Sequence, residues 1–119
     1  MCLPSVRSVV LIKKLILATL MIALTEVPAT AQTATFYSSG HHGRTTASGA
    51  RFSQHQHVAA HPYLPFGTRV KVINPKTGKS VIVRIVDRCR CSIDLSQAAY
   101  RQIGSLRGGR VPVRIRVLR

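Results

Sequence analysis

From Thr68 onward apolar and polar residues alternate with a period of two, as in a strand with one buried and one wet face. In "TRVKVI", Val70 and Val72 alternate with Arg69 and Lys71. Asn74-Pro75-Lys76-Thr77-Gly78 then supplies the Pro and Gly of a turn, and "KSVIVRIV" resumes the alternation, so the two runs predict a hairpin. In its second strand Val81, Val83 and Ile85 share a face, and Asp87 continues their parity, which predicts an inward-pointing acid at a barrel mouth. The final run, "RVPVRIRVLR", sets Val111, Val113, Ile115 and Val117 against Pro112, Arg114 and Arg116. It reads as a closing strand, with Pro112 marking an edge or a bulge. Upstream, "ATFY" and "HVAAH" are short strand candidates on either side of the Gly/Ser/Thr-rich loop "SSGHHGRTTASG". In "IDLSQAAYRQIG", Ser96 can cap a short helix from about Gln97 to Ile103, with Gly104 as its stop and Asp94 at its approach. About six short strands and one helix predict a small β-barrel, since closure removes edges that so short a chain could not otherwise cover.

The first residues follow another pattern. Arg7, Lys13 and Lys14 precede the apolar run Leu15 to Leu24, and Ala29-Thr30-Ala31 is a small-x-small cleavage site. Residues 1–31 are therefore read as a signal peptide and 32–119 as the barrel domain, exported to the periplasm or secreted. An apolar run of about ten residues falls short of the ~20 that a spanning helix needs. Cys2 lies ahead of that run, where a lipid-attachment cysteine does not occur, so no lipid anchor is expected.

Charge narrows the partners. Residues 1–31 hold three of the 18 Lys/Arg and one of the three acids, which leaves 15 bases against Asp87 and Asp94. The bases are scattered singly, with no run of five. With an export signal, that distribution points to anionic wall polymers and away from nucleic acid. In an oxidising compartment Cys89 and Cys91 are candidates for a disulfide; two free thiols or a bond to another molecule are the alternatives. His41, His42, His55, His57 and His61 show no CxxC or HExxH spacing, so no metal and no cofactor is expected. Tyr37, Tyr63 and Phe66 can stack on sugar rings, while Arg88 and its fellow arginines can reach carboxylates or phosphates. For Phe66 the core is the favoured place; for Tyr63 stacking and core-covering stand level.

"GRTTASGARF", "AAHPYLPFGTRVKVINPKTGKSVIVRIVDR" and "IDLSQAAYRQIG" resemble, in order and spacing, the rare lipoprotein A (RlpA) family, over about Thr33 to Leu118. The resemblance implies a six-stranded double-psi β-barrel, similar in fold to expansins, and a lytic transglycosylase acting on peptidoglycan glycan strands. A monomer is expected. The resemblance further implies that Asp87 and His61 form the catalytic pair, that Tyr37 is the aromatic near the mature start, and that Thr46 and Ser48 lie in the loop lining the groove. Two departures stand out. Many relatives carry a Glu after the "ASG" turn where this chain has Ala50, and the loop after Arg88 is the short Cys89-Arg90-Cys91.

Glycoside hydrolysis generally takes two carboxyls. With Asp94 read as a helix-start residue, one acid is left, which disfavours a two-carboxylate hydrolase. A lytic transglycosylase can manage with one: it protonates the glycosidic oxygen and takes a proton from the muramic acid's own 6-hydroxyl, closing a 1,6-anhydro ring. As an acid near neutrality Asp87 would need a pKa raised by burial, an effect that Arg88 and Arg90 oppose. The alternative to turnover is an expansin-like module that binds wall glycan without cleaving it.

Overall fold

The computed structural model describes residues 32–118. The proposed signal peptide lies outside them. Six strands close into one barrel in the order β1-β5-β2-β4-β3-β6. They are β1 (Gln32–Phe36), β2 (Val58–Ala60), β3 (Arg69–Ile73), β4 (Ser80–Asp87), β5 (Ile93–Leu95) and β6 (Val111–Val117). The pairs β1·β5 and β2·β4 are parallel and the remaining pairings antiparallel. This is the double-psi barrel that the resemblance implied. One short helix, α1 (Gln97–Arg101), follows β5. No helix among the described residues is long and apolar enough to cross a membrane.

The hairpin forms as its alternation predicts, with Val70 opposite Val83 and Val72 opposite Val81. These valines point inward with Ile85, Ile93, Leu95 and Val113 to form the core. Tyr100 and Ile103 close it from outside, with the Tyr100 ring 4.8 Å from Phe36. Pro112 sits where β6 is paired with β1 alone, because pairing with β3 begins at Arg114. Its missing N–H therefore leaves no gap in a two-sided ladder.

Three expectations are corrected. Asp94 does not start the helix: it lies inside β5, and Ser96 is the cap, its hydroxyl accepting from the Ala99 N–H at 3.3 Å. The local pattern is too short to distinguish a three-residue strand from a helix lead-in. Asp87 does not follow the inward parity of Ile85 either. The β2·β4 register steps from Ala59 opposite Ile85 to Ala60 opposite Asp87, so one extra residue in β4 re-aims the acid. Ala60 belongs to a second cluster outside the barrel, with Tyr37, Phe52, Val58 and Val86, and Asp87 joins that face. Phe66, finally, is 43 % exposed, its ring lying 4.0 Å below the Arg88 guanidinium.

Candidate functional site

Strand register brings the only two carboxylates of the described residues into one row. Thr35 of β1 is paired with Asp94 of β5, Asp94 with Ala60 of β2, and Ala60 with Asp87 of β4. Side-by-side residues in paired strands share a face, so the row runs across the outer wall. Ala60 alone separates the two acids, whose Cα atoms are thus two strand spacings apart, roughly 9–10 Å. Thr35 Oγ1 donates to Asp94 Oδ1 at 3.0 Å, which confirms the shared face.

The two acids have opposite environments. Burial pushes Asp87 upward, but hydrogen bonds outweigh it and hold its pKa below the usual carboxylate value. Tyr37 donates its hydroxyl to Oδ2 at 2.6 Å and the Ala47 N–H donates to Oδ1 at 2.9 Å. The Arg88 backbone N–H and nearby His41 add to this. The Arg88 side chain turns away, reaching the backbone oxygens of His61 and Asp87 at 3.3 and 3.4 Å while it covers Phe66. Asp94 is shifted the other way: burial raises its pKa, and the negative charge of Asp87 adds to the rise, against the Thr35 hydrogen bond and His41. The proton affinities of the two neighbouring acids are therefore shifted in opposite directions, Asp87 down and Asp94 up.

The supports of the ionised acid come from remote segments. Tyr37 is buried, stacked on Phe52 at 4.2 Å and edge-on to His41 at 5.3 Å. Burial and its bond to Asp87 raise the Tyr37 pKa, so it stays a donor. Its place is behind the carboxylate, where it orients Asp87. Thr46 and Ser48 lie in a tight turn docked on the end of β4, with Gly49 at φ +89° and Ser48 N–H bonded to Val86 O at 3.1 Å. The two hydroxyls meet at 2.9 Å, and Thr46 Oγ1 also donates to Ala50 O at 2.7 Å. Their bonds shape the turn that aims the Ala47 N–H at Asp87. Ala50 sits on the far arm of that turn and brings no carboxylate.

His61 directly follows the row residue Ala60, and its N–H bonds to Asp87 O at 3.1 Å. Its ring Nδ1 accepts from the Leu64 and Tyr63 N–H groups at 3.1 and 3.3 Å, which leaves the proton on Nε2. Burial and Arg88 lower the His61 pKa, so the ring stays neutral. Tyr63 stands edge-on to that ring at 4.7 Å and is 74 % exposed, free to stack on a ligand. A cavity of about 220 Å³ is lined by Thr33, Thr35, Arg90, Cys91, Ser92 and Arg110, and its Thr35 is the residue that donates to Asp94. Cys89 and Cys91 are joined in a disulfide with Cα atoms 5.3 Å apart, in the loop between the two acids. Among the described residues no three His, Cys, Asp or Glu side chains gather as a metal site.

Sequence reasoning missed two residues. Asp94 reads locally as a helix-start residue, although it lies within β5. Gln54 is buried and links three segments: its Nε2 donates to Tyr37 O and Ser38 O at 3.0 and 2.9 Å, and its Oε1 accepts from the Gln97 N–H at 2.8 Å. It thereby fixes the backbone of Tyr37 against the start of α1. No local pattern marks Gln54, because its partners lie 16 to 43 positions away.

A family model described as lytic transglycolase matches residues 29–115. An uncharacterized protein of Synechocystis sp. is 56 % identical over 85 residues, covering 71 % of this chain and 94 % of that protein. A probable endolytic peptidoglycan transglycosylase RlpA of Aquifex aeolicus is 49 % identical over 90 residues, covering 72 % of this chain. The chain spans only 40 % of the length of that relative. Among solved structures, a Clavibacter michiganensis expansin in complex with cellohexaose superposes with a TM-score of 0.59 at 25 % identity, over 76 % of this chain and 51 % of the expansin.

Proposed function

The chain belongs to the lytic transglycolase family of double-psi β-barrels, and from that premise we propose that it is an exported lytic transglycosylase cleaving peptidoglycan glycan strands. The observation that carries this reading is the outer-face row, in which Asp94 and Asp87 flank Ala60 with their proton affinities pushed apart. In the mechanism, Asp94 protonates the glycosidic oxygen as the bond from muramic acid C1 breaks. The sugar's own 6-hydroxyl oxygen then bonds to C1, and its proton passes to the ionised Asp87. The products are a 1,6-anhydro sugar and a free 4-hydroxyl, and proton exchange with solvent restores both acids. This moves the acid role from Asp87, where the sequence had it, to Asp94. His61, only 3 % exposed, is a positioning residue that holds the Tyr63 loop through Nδ1 and not the catalytic partner the resemblance implied, Tyr63 stacks on a ring, and Tyr37, Thr46 and Ser48 hold Asp87 in place. Arg88 fixes the His61 backbone and presents its remaining N–H groups to the strand. The site of action is the periplasm or the secreted space, reached through residues 1–31.

A second reading is favoured by Ala50 and by the cellohexaose held by the similar expansin: glycan binding without turnover. Incubating the protein with peptidoglycan and identifying new ends by mass spectrometry separates the possibilities. Anhydro-muramyl ends, lost in Asp94→Asn and in Asp87→Asn, support the proposal. Ordinary reducing ends would replace it with two-carboxylate hydrolysis, which the row also allows now that Asp94 is a member. No new ends, with the protein retained on the wall, would leave the binding module.

A further inference from the structure

The wall formed by β6, β3 and β4 carries a feature that the carboxylate row does not use. Because Val70, Val72, Val81, Val83 and Val113 point inward, the alternate positions face out, and they hold Arg69 and Lys71 on β3, Arg84 on β4, and Arg114 and Arg116 on β6. Register makes these neighbours: Arg69 lies opposite Arg84, and Lys71 opposite Arg116. Like charges directly opposite each other on paired strands are destabilising. Among the described residues no acid relieves them, for β3 and β6 contain none, and the acid on β4, Asp87, is engaged by Tyr37 and Ala47. The side chains follow a diagonal from Arg114 through Arg116, Lys71 and Arg69 to Arg84, with steps of about 5–7 Å and a length of roughly 16 Å from strand geometry. Its Arg84 end is three residues before Asp87 on the same strand.

We propose that this diagonal is a docking track for a linear acidic polysaccharide whose sugars carry carboxylates. Four of its five cations are arginines, whose planar fork pairs with carboxylates. The remaining outward positions are Ile73, Ser80, Ile82 and Pro112, so the face has no aromatic ring on which nucleic-acid bases could stack. The inference rests on the charge geometry of the barrel, and on the proposed function only for the choice of a glycan as the polymer.

Affinity electrophoresis and calorimetry of the full chain, in an Asp94→Asn background so that turnover does not enter, test it with polygalacturonate, dextran and an oligothymidylate. The track variant is Arg69→Ser/Lys71→Ser/Arg116→Ser, and the control, equal in charge, is Arg44→Ser/Arg101→Ser/Arg107→Ser. The expected result at low salt is polygalacturonate binding weakened about tenfold or more by the track variant and far less by the control, with no binding to dextran. Equal weakening by both variants would overturn the proposal in favour of a diffuse field. Tighter binding of oligothymidylate than of polygalacturonate would overturn it in favour of a nucleic acid. The track variant should melt no lower than the parent, since it removes repulsion; if it fails to fold, Arg84→Gln and Arg116→Gln singly must each weaken polygalacturonate binding or the track is refuted.

Discussion

Tyr37→Phe isolates one hydrogen bond. The substitution keeps the ring stacked on Phe52 at 4.2 Å and deletes only the hydroxyl that donates to Asp87 Oδ2 at 2.6 Å. Hydrogen bonds to charged groups contribute about 1.5–3 kcal/mol, and the partial exposure of this carboxylate places the loss at the lower end, about 1.5 kcal/mol. For a domain of this size that lowers Tm by roughly 6–12 °C near neutral pH. The loss must also depend on pH. Although burial pushes Asp87 upward, its hydrogen bonds depress its folded pKa overall, so the stability it contributes is present above the unfolded aspartate value of about 3.9 and fades as pH falls through the folded value. Urea unfolding of parent and variant should therefore differ fully near neutrality and converge in strong acid. An NMR titration of the Asp87 carboxyl carbon should show its pKa rising in Tyr37→Phe. A stability difference that is the same at neutral and strongly acid pH, or an Asp87 titration that does not move, would refute the reasoning.

Asp94→Asn should abolish glycan cleavage and yet melt at or above the parent temperature near neutral pH, because burial raises the Asp94 pKa and its ionisation costs stability as pH rises through the folded value; the advantage should disappear in acid. The parent's pH–rate profile should have an acidic limb below the ordinary aspartate value, where Asp87 gains a proton, and an alkaline limb above it, where Asp94 loses one. Phe66→Ala, which removes an exposed ring beneath Arg88, should cost only about 0.5–1 kcal/mol in chemical denaturation, against about 3–5 kcal/mol for the buried Phe52→Ala. Reducing Cys89–Cys91 should lower unfolding stability by no more than about 1.5 kcal/mol, since so short a loop restricts the unfolded chain little; a larger fall would show that the link holds the barrel itself.

Period-two alternation by itself determined which residues of β3, β4 and β6 enter the core, because side-chain direction along a strand is a local property. Pro112 likewise reported its one-sided pairing, and Ser96 its cap. Composition narrowed the acids to Asp87 and Asp94. What the two acids do was decided only by tertiary structure. They are neighbours because β5 and β4 both pair with β2, which precedes them by more than twenty residues, and no spacing along the chain records which strands will lie side by side. A single extra residue in β4 then reversed the face that parity assigns to Asp87. The difference in their proton affinity is equally non-local: Tyr37 and Ala47 reach Asp87 from 50 and 40 positions away, while Thr35 meets Asp94 from 59. Side-chain alternation repeats every two residues and so can be read from a short segment, whereas register between distant strands is set by the closure of the whole barrel.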